Sequence, residues 1–456
     1  MGGCPPASPG GCESGTVSGT LGDPLRHSEA PVTVSPPRTD DRLPAISGHQ
    51  PALDGVRAVA ALAVLVFHVA ASIGMLTAKD GASSWLLSRG EIGVPIFFAL
   101  SGLLLYRPWA AAALGLRPPP GTRNYLWKRA LRLLPAYWAL VVACMLLYGR
   151  DHLGDVLGWF ELLTLTYSYD PNPWWNDYLG PKGMGQIWSL TVEAAFYVAL
   201  PPLAALLARW ARRGTDVGDR ARRLLWGLAG CAAVSVGYTF FSVYLSGNPA
   251  WTGLWLPRYL IWFAIGMALA VVSVWAHADP GPVRRLCRTV AESWGMCWTA
   301  AVLLYCVSAT PLTGDSRLVT VDPWTTQLHL VLYGLVALFL IAPPALAPAG
   351  HPGITRIMGN RVMSYLGKIS YSVFLWQFVV IYGWLGLLGR PPFTGTFLID
   401  LPVCAALTVA VAALSFHLIE EPARRIRLGP LPARAGAGWL RTQPFRRGRS
   451  TGGDRG

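Results

Sequence analysis

Two ionisable side chains lie within apolar stretches of this sequence, where such groups are expensive and count by default as functional candidates. His68 closes a run that begins Leu53-Asp54-Gly55-Val56-Arg57, and Glu193 stands within Trp188-Ser189-Leu190-Thr191-Val192-Glu193-Ala194-Ala195-Phe196-Tyr197. Eleven steps separate Arg57 from His68, which in a helix is three turns plus about 20° and a rise of about 16.5 Å. The two share a face, with the cation near one membrane surface and the imidazole past the midplane. That pairing suits a long substrate with an anionic head and a reactive end inside the membrane, such as phosphates on a pantetheine arm. It equally suits an arginine that snorkels and pairs with Asp54 at i,i+3, with a histidine that only bonds a neighbouring helix. Glu193 is expected about 10 Å, and His68 about 12 Å, below the outer ends of their helices at 1.5 Å per residue. A carboxylate at that depth can meet the imidazole, set its tautomer and raise its basicity. A purely structural Glu193 would need a basic partner, and no span centre offers an arginine or lysine.

Two further segments add small and basic groups. Gly93-Val94-Pro95-Ile96-Phe97-Phe98-Ala99-Leu100-Ser101-Gly102 permits a kink or an unwound turn lining a cavity. Ser101 is then a substrate-orienting candidate, and otherwise a packing residue beside Gly102. In Arg123-Asn124-Tyr125-Leu126-Trp127-Lys128-Arg129-Ala130-Leu131-Arg132, Arg129 and Arg132 share a helix face near a bilayer surface. They can clamp a phosphate bidentately or rest on anionic lipid.

The elements that must carry these groups follow from composition. Of 456 residues, 53% are hydrophobic and 14% charged, against about 25% charged in soluble domains. An integral membrane protein follows, and the net charge of +14 is not first read as a nucleic-acid signal despite its sign. Apolar stretches able to cross about 30 Å of hydrocarbon recur at 56–76, 92–114, 131–148, 186–207, 224–245, 255–276, 294–310, 328–348, 369–388 and 398–419. The expected fold is an all-α transmembrane bundle of about ten helices. Loops after even-numbered spans, with the span ends beside them, hold 18 Lys and Arg and those after odd-numbered spans 7, which puts both termini in the cytoplasm by the positive-inside rule. Residues 1–47 read as a disordered cytosolic tail without a signal-peptide core, 48–428 as the membrane domain, and 429–456 as a disordered basic tail. The segment 149–185, with Tyr167, Tyr169, Trp174, Trp175 and Tyr178, reads as an external loop whose aromatics either stack on sugar rings or anchor at the interface. Eight cysteines without a CxxC pair suggest neither a disulfide framework nor a metal site.

Taken together and in order, these segments resemble the acyltransferase type 3 family of polytopic bacterial membrane O-acyltransferases, over about residues 48–428. The first resembles the family's Arg/Lys, ten residues, His signature at Arg57 and His68. GVPIFFALSG resembles its Phe-Phe-x-x-Ser-Gly segment, RALRLLP its Arg-x-x-Arg element, QIWSLTVEAAFYVALP its Trp-Ser-Leu-x-x-Glu segment, and IEEPARR the end of its span ten. The resemblance implies transfer of a short acyl group, typically acetyl, from acyl-CoA on the cytosolic side to a hydroxyl of a carbohydrate or secondary metabolite. No permanently bound cofactor is implied. His68 would act as general base or transient acyl carrier, Glu193 would orient it, and Arg57, Arg129 and Arg132 would hold CoA phosphates. The expected setting is the plasma membrane of a bacterium. Many members read Leu-Trp-His in a late span, where this chain has Leu375-Trp376-Gln377. Gln377 can orient a substrate through hydrogen bonds but cannot carry a proton. The rival reading is a proton-coupled small-molecule transporter using His68 and Glu193.

Overall fold

The computed structural model describes residues 43–77, 82–175, 178–279, 281–314 and 323–426. Both expected tails lie outside the described residues, except for 43–47. Among the described residues the fold is helical throughout, without strands. Its principal helices are α1 (Pro51–Ser72), α2 (Gly93–Ala113), α3 (Thr122–Tyr148), α4 (Trp188–Ala211), α5 (Val217–Tyr244), α6 (Leu256–Ala278), α7 (Trp294–Ser308), α8 (Pro323–Leu346), α9 (Arg361–Leu387) and α10 (Phe397–Ser415).

Nine helices among the described residues are long and apolar enough to cross a membrane. The expected seventh span differs: α7 has only 15 residues and meets the preceding helix Pro282–Glu292 at a 70° bend. Counted as one broken span, that pair makes ten. Outward faces are apolar, as a bilayer requires; Trp226 and Phe240 on α5 and Leu414 on α10 are more than half exposed. The chain is thus a multi-pass membrane protein.

The centre is built by α1, α2, α6 and α9, with α2 crossing α6 and α1 running against α9. Glycine sets both distances of approach. A Cβ on Gly266 of α6 would fall 1.8 Å from the Ala99 carbonyl oxygen of α2, and one on Gly367 of α9 would fall 2.0 Å from that of Asp54 on α1. Such backbone contact is how small residues bring membrane helices together. It brings Ser101, Arg57 and Ser370 around one space.

The kink or unwound turn allowed for 93–102 does not form. Pro95 is the third residue of α2, in the first turn, where its missing N–H has no intrahelical acceptor to lose, and the helix runs unbroken through Ser101 and Gly102. The loop 149–185 is folded onto the bundle rather than draped over it. Asp155 caps a short helix, Val156–Thr164, by accepting from Gly158 N at 3.1 Å. Tyr137 and Trp138 of α3 donate to the Leu162 and Leu163 carbonyls at 2.5 and 2.9 Å.

Candidate active site

A cavity opens between α1, α2, α3, α4 and α9, and its lining includes Arg57, Ser101, Arg129, Arg132, Glu193 and Tyr197. Five of the seven residues singled out from the sequence therefore meet in one space. Arg129 and Arg132 stand three residues apart near the start of α3, so their side chains leave the helix on neighbouring positions. The Nε atom of Arg129 is buried without a hydrogen-bond partner, an arrangement that leaves a donor ready for an anion. Arg57 donates to Asp54 Oδ1 at 3.0 Å, and the other oxygen of Asp54 meets His49 Nε2 at 2.5 Å. The i,i+3 pairing and the place in the cavity are both present.

Glu193 is held by two hydroxyls. Ser101 and Tyr197 each donate to its Oε1 at 2.6 Å, a length typical of hydrogen bonds to an ionised acceptor. Ser101 comes from the middle of α2, and Tyr197 follows Glu193 by one turn on α4. Sequence reasoning passed over Tyr197, although i,i+4 spacing puts it on the carboxylate's own face. Tyr371 of α9 also lines the cavity and is fixed by a 2.6 Å bond to the Leu133 carbonyl.

His68 and Gln377 form a separate pair. His68 is absent from the cavity lining, and no hydrogen bond joins it to Glu193 among those of the described residues. Its polar neighbour is the Gln377 side chain, and the Phe378 ring lies 4.3 Å from it, centroid to centroid. His68 Nδ1 and Gln377 Oε1 are buried without partners of normal hydrogen-bond geometry, while Gln377 Nε2 donates to the Phe374 carbonyl at 2.9 Å. Phe374 lines the cavity together with Phe97, and their rings meet edge-on at 6.1 Å. Gln377 follows Phe374 by one turn, so the imidazole pair stands beyond the aromatic end of the cavity. Sequence depth alone suggested that Glu193 and His68 meet; the helices instead turn the carboxylate towards Ser101.

Two other features were not visible in sequence. Glu420, inside the IEEPARR segment, is buried and accepts from Ser372 Oγ and from Arg424 Nη2, the latter at 2.6 Å. The loop aromatics pack on one another: Trp174 stacks on His152 at 3.7 Å and meets Trp175 at 5.2 Å, and Tyr167 is buried, while the indole N–H groups of Trp174 and Trp175 are buried without a hydrogen-bond partner. No group of three metal-binding side chains occurs among the described residues.

A family model described as an acyltransferase domain matches residues 50–417. A Staphylococcus aureus (strain MSSA476) protein provisionally named as an O-acetyltransferase is 23% identical over 402 residues, covering 83% of this chain and 58% of its own length. A Bacillus subtilis protein, provisionally named as a peptidoglycan O-acetyltransferase, is 25% identical over 82% of this chain and 55% of its own. Nodulation protein 10 of Rhizobium leguminosarum bv. viciae is 26% identical, over 84% of this chain and 95% of its own. The chain thus spans little more than half the length of the first two relatives. No solved structure matches.

Proposed function

Because the chain belongs to the acyltransferase 3 family, we propose that it is an O-acyltransferase of a bacterial plasma membrane, moving an acetyl group from acetyl-CoA to a hydroxyl of a carbohydrate or secondary-metabolite acceptor. The observation that carries this reading is the meeting of Arg57, Arg129 and Arg132 with the Ser101–Glu193–Tyr197 cluster in one cavity. Guanidiniums suit the phosphates of CoA, and the positive-inside count supports a cytosolic position for them. The pantetheine arm then runs along the Arg57–His68 face of α1, past Phe97 and Phe374, and delivers its thioester to His68.

There the acceptor oxygen attacks the thioester carbonyl carbon while its proton passes to the imidazole. The C–S bond breaks, and the proton returns to the departing sulfur, leaving CoA thiol and an ester. If the imidazole first accepts the acyl group itself, the same bonds are made and broken in two steps. Gln377 orients the ring in either route. Glu193 is a positioning residue, holding the Ser101 and Tyr197 hydroxyls against the donor. The acceptor class draws support from the B. subtilis relative, whose name specifies peptidoglycan.

The test is acceptor-dependent release of CoA thiol by purified protein in bilayer discs. His68→Ala is expected to lower it at least about 100-fold, the low end of general acid–base contributions. Normal turnover by that variant would overturn the scheme, and solute uptake without acyl-CoA consumption would favour a transporter.

A further inference from the structure

An ion pair just outside the cavity lining is built with unusual backbone. Between α10 and the short helix Glu421–Arg424 runs a single π-turn, Phe416–Glu420. A π-turn adds a residue to one helical turn and recurs at functional sites, since it changes the face that the following side chains present. Here Glu420 is turned inwards and is 1% exposed, while Glu421 beside it faces His417 and Arg425 on the outside. Glu420 accepts from Ser372 Oγ through Oε1 and from Arg424 Nη2 through Oε2, the latter at 2.6 Å. Arg424 also lies over the Phe416 ring at 5.3 Å. Its guanidinium is therefore fixed from two sides.

The π-turn and the helix after it pack against α3, which carries Arg129 and Arg132. Arg424 lies within electrostatic reach of both and of Tyr371 in the cavity wall, and Glu420 lies within reach of Arg132. Ser372, which holds Glu420, directly follows the lining residues Ser370 and Tyr371 on α9. Four guanidiniums from three distant stretches of chain thus gather around one mouth. Asp54 pairs with Arg57 and Glu420 with Arg424. Among the described residues no ion pair engages Arg129 or Arg132, and the buried Nε of Arg129 has no hydrogen-bond partner. A second cavity, at the N-terminal ends of α2, α4, α6 and α8, also holds arginines. There Arg258 donates to the Gly253 carbonyl at 3.3 Å and Arg89 to the Ser308 carbonyl at 2.8 Å, so backbone oxygens take up the donors. Beside α3 the donors are left over.

We propose that Arg424, set by Glu420, is a fourth cation of the donor site and binds the donor's phosphate groups together with Arg129 and Arg132. A guanidinium offers five N–H donors in a planar fork. Glu420 engages Nη2, which leaves Nη1 and Nε for an anion, and the side chain is 31% exposed and so within a ligand's reach. Glu420 is a positioning residue that holds the cation without touching the ligand. A pair whose only duty was to tie α10 to α9 would gain nothing from standing beside two uncompensated arginines, because like charges repel more strongly away from bulk water. An anion relieves that repulsion, and two uncompensated guanidiniums match the two charges of a pyrophosphate. The proposal rests on the acyltransfer reading for the name donor but not for the phosphate site itself.

The experiment titrates the full chain, in discs of phosphatidylcholine, with inorganic pyrophosphate and separately with acetyl-CoA by calorimetry. Arg424→Gln is expected to raise both Kd values at least about tenfold, the low end for a hydrogen bond to a charged group. Because that variant strands the Glu420 carboxylate, a second chain carries Glu420→Gln and Arg424→Gln together, and melting temperatures confirm that both fold. Removing the stranded charge repairs a purely structural pair but cannot restore a lost phosphate contact, so the tenfold increase should persist in the doubly neutral chain. Equal pyrophosphate Kd values for that chain and the wild type, or no saturable pyrophosphate binding by the wild type, overturn the site. A raised pyrophosphate Kd with an unchanged acetyl-CoA Kd overturns its place in the donor site. Loss of pyrophosphate binding when phosphatidylglycerol replaces phosphatidylcholine assigns the cation to lipid headgroups and overturns the donor role as well. Arg424-dependent pyrophosphate binding by a wild type that takes up no acetyl-CoA overturns the acyl-CoA reading and leaves the phosphate site standing.

Discussion

Replacing Glu193 by glutamine keeps the shape of the side chain and removes its charge. In the structure Oε1 accepts from Ser101 and from Tyr197, each at 2.6 Å. Hydrogen bonds to charged groups contribute about 1.5–3 kcal/mol and neutral ones about 0.5–1.5. The substitution thus weakens each bond by about 1 kcal/mol and the pair by about 2, which is roughly 30-fold in rate at 1.36 kcal/mol per decade. Ser101→Ala and Tyr197→Phe each delete one bond to the carboxylate, worth about 1.5–3 kcal/mol, and about 10- to 150-fold is expected from either. Because the three groups act as one cluster, the losses should not add. Ser101→Ala made in the Glu193→Gln background deletes only a neutral bond of about 0.5–1.5 kcal/mol and should cost about 2- to 10-fold. The assay is acetyl-CoA-dependent thiol release under saturating acceptor, with acetyl-CoA Kd measured in parallel and melting temperature as a check on folding. Full turnover by Glu193→Gln would refute a role for the cluster. Strict additivity of the two substitutions would refute the idea that Glu193 works by holding Ser101.

Arg129→Ala should remove a charge-assisted contact of about 1.5–3 kcal/mol, raising the acetyl-CoA Kd about 10- to 150-fold, and Arg132→Ala should act in the same direction; calorimetric titration reads both. Gln377→Leu takes the amide away from His68 and from the Phe374 carbonyl, so kcat is expected to fall about 5-fold, the value of one ordinary hydrogen bond, with the acetyl-CoA Kd unchanged. Gly266→Ala forces a Cβ to within 1.8 Å of the Ala99 carbonyl oxygen; overpacking of this kind costs about 1–3 kcal/mol, and a lowered melting temperature in detergent measures it.

The spans were legible because bilayer thickness imposes a length that hydropathy reports directly. The sequence windows and the helices agree for α1, α2, α4 and α6 to within a few residues. Helix α3 extends further, starting at Thr122 instead of 131, because its basic first turns lie where charge can reach the surface and hydropathy cannot report helix. The broken seventh span was not legible as a bend, since mean hydropathy carries no direction. In the site, residue types pointed to Arg57, Ser101, Arg129, Arg132 and Glu193, which share a cavity. Depth along a helix could not reveal which neighbour each one faces. Rotation about the helix axis decides that, and it turns Glu193 to Ser101 and Tyr197 and leaves His68 with Gln377 and Phe378. The glycines that fix those rotations read in sequence only as small residues.

The charge balance of the two cavities constrains what each can hold. The first sets three guanidiniums against Glu193 in its lining, with Asp54 alongside paired to Arg57. Left to itself, such an excess of positive charge in a low-dielectric bundle is unfavourable, and an anionic occupant relieves it. The second sets Glu91 among Arg89, Arg258 and His329, and Arg89 is already engaged with the Ser308 carbonyl at 2.8 Å. With one carboxylate against Arg89 and Arg258, it too carries an excess of one positive charge.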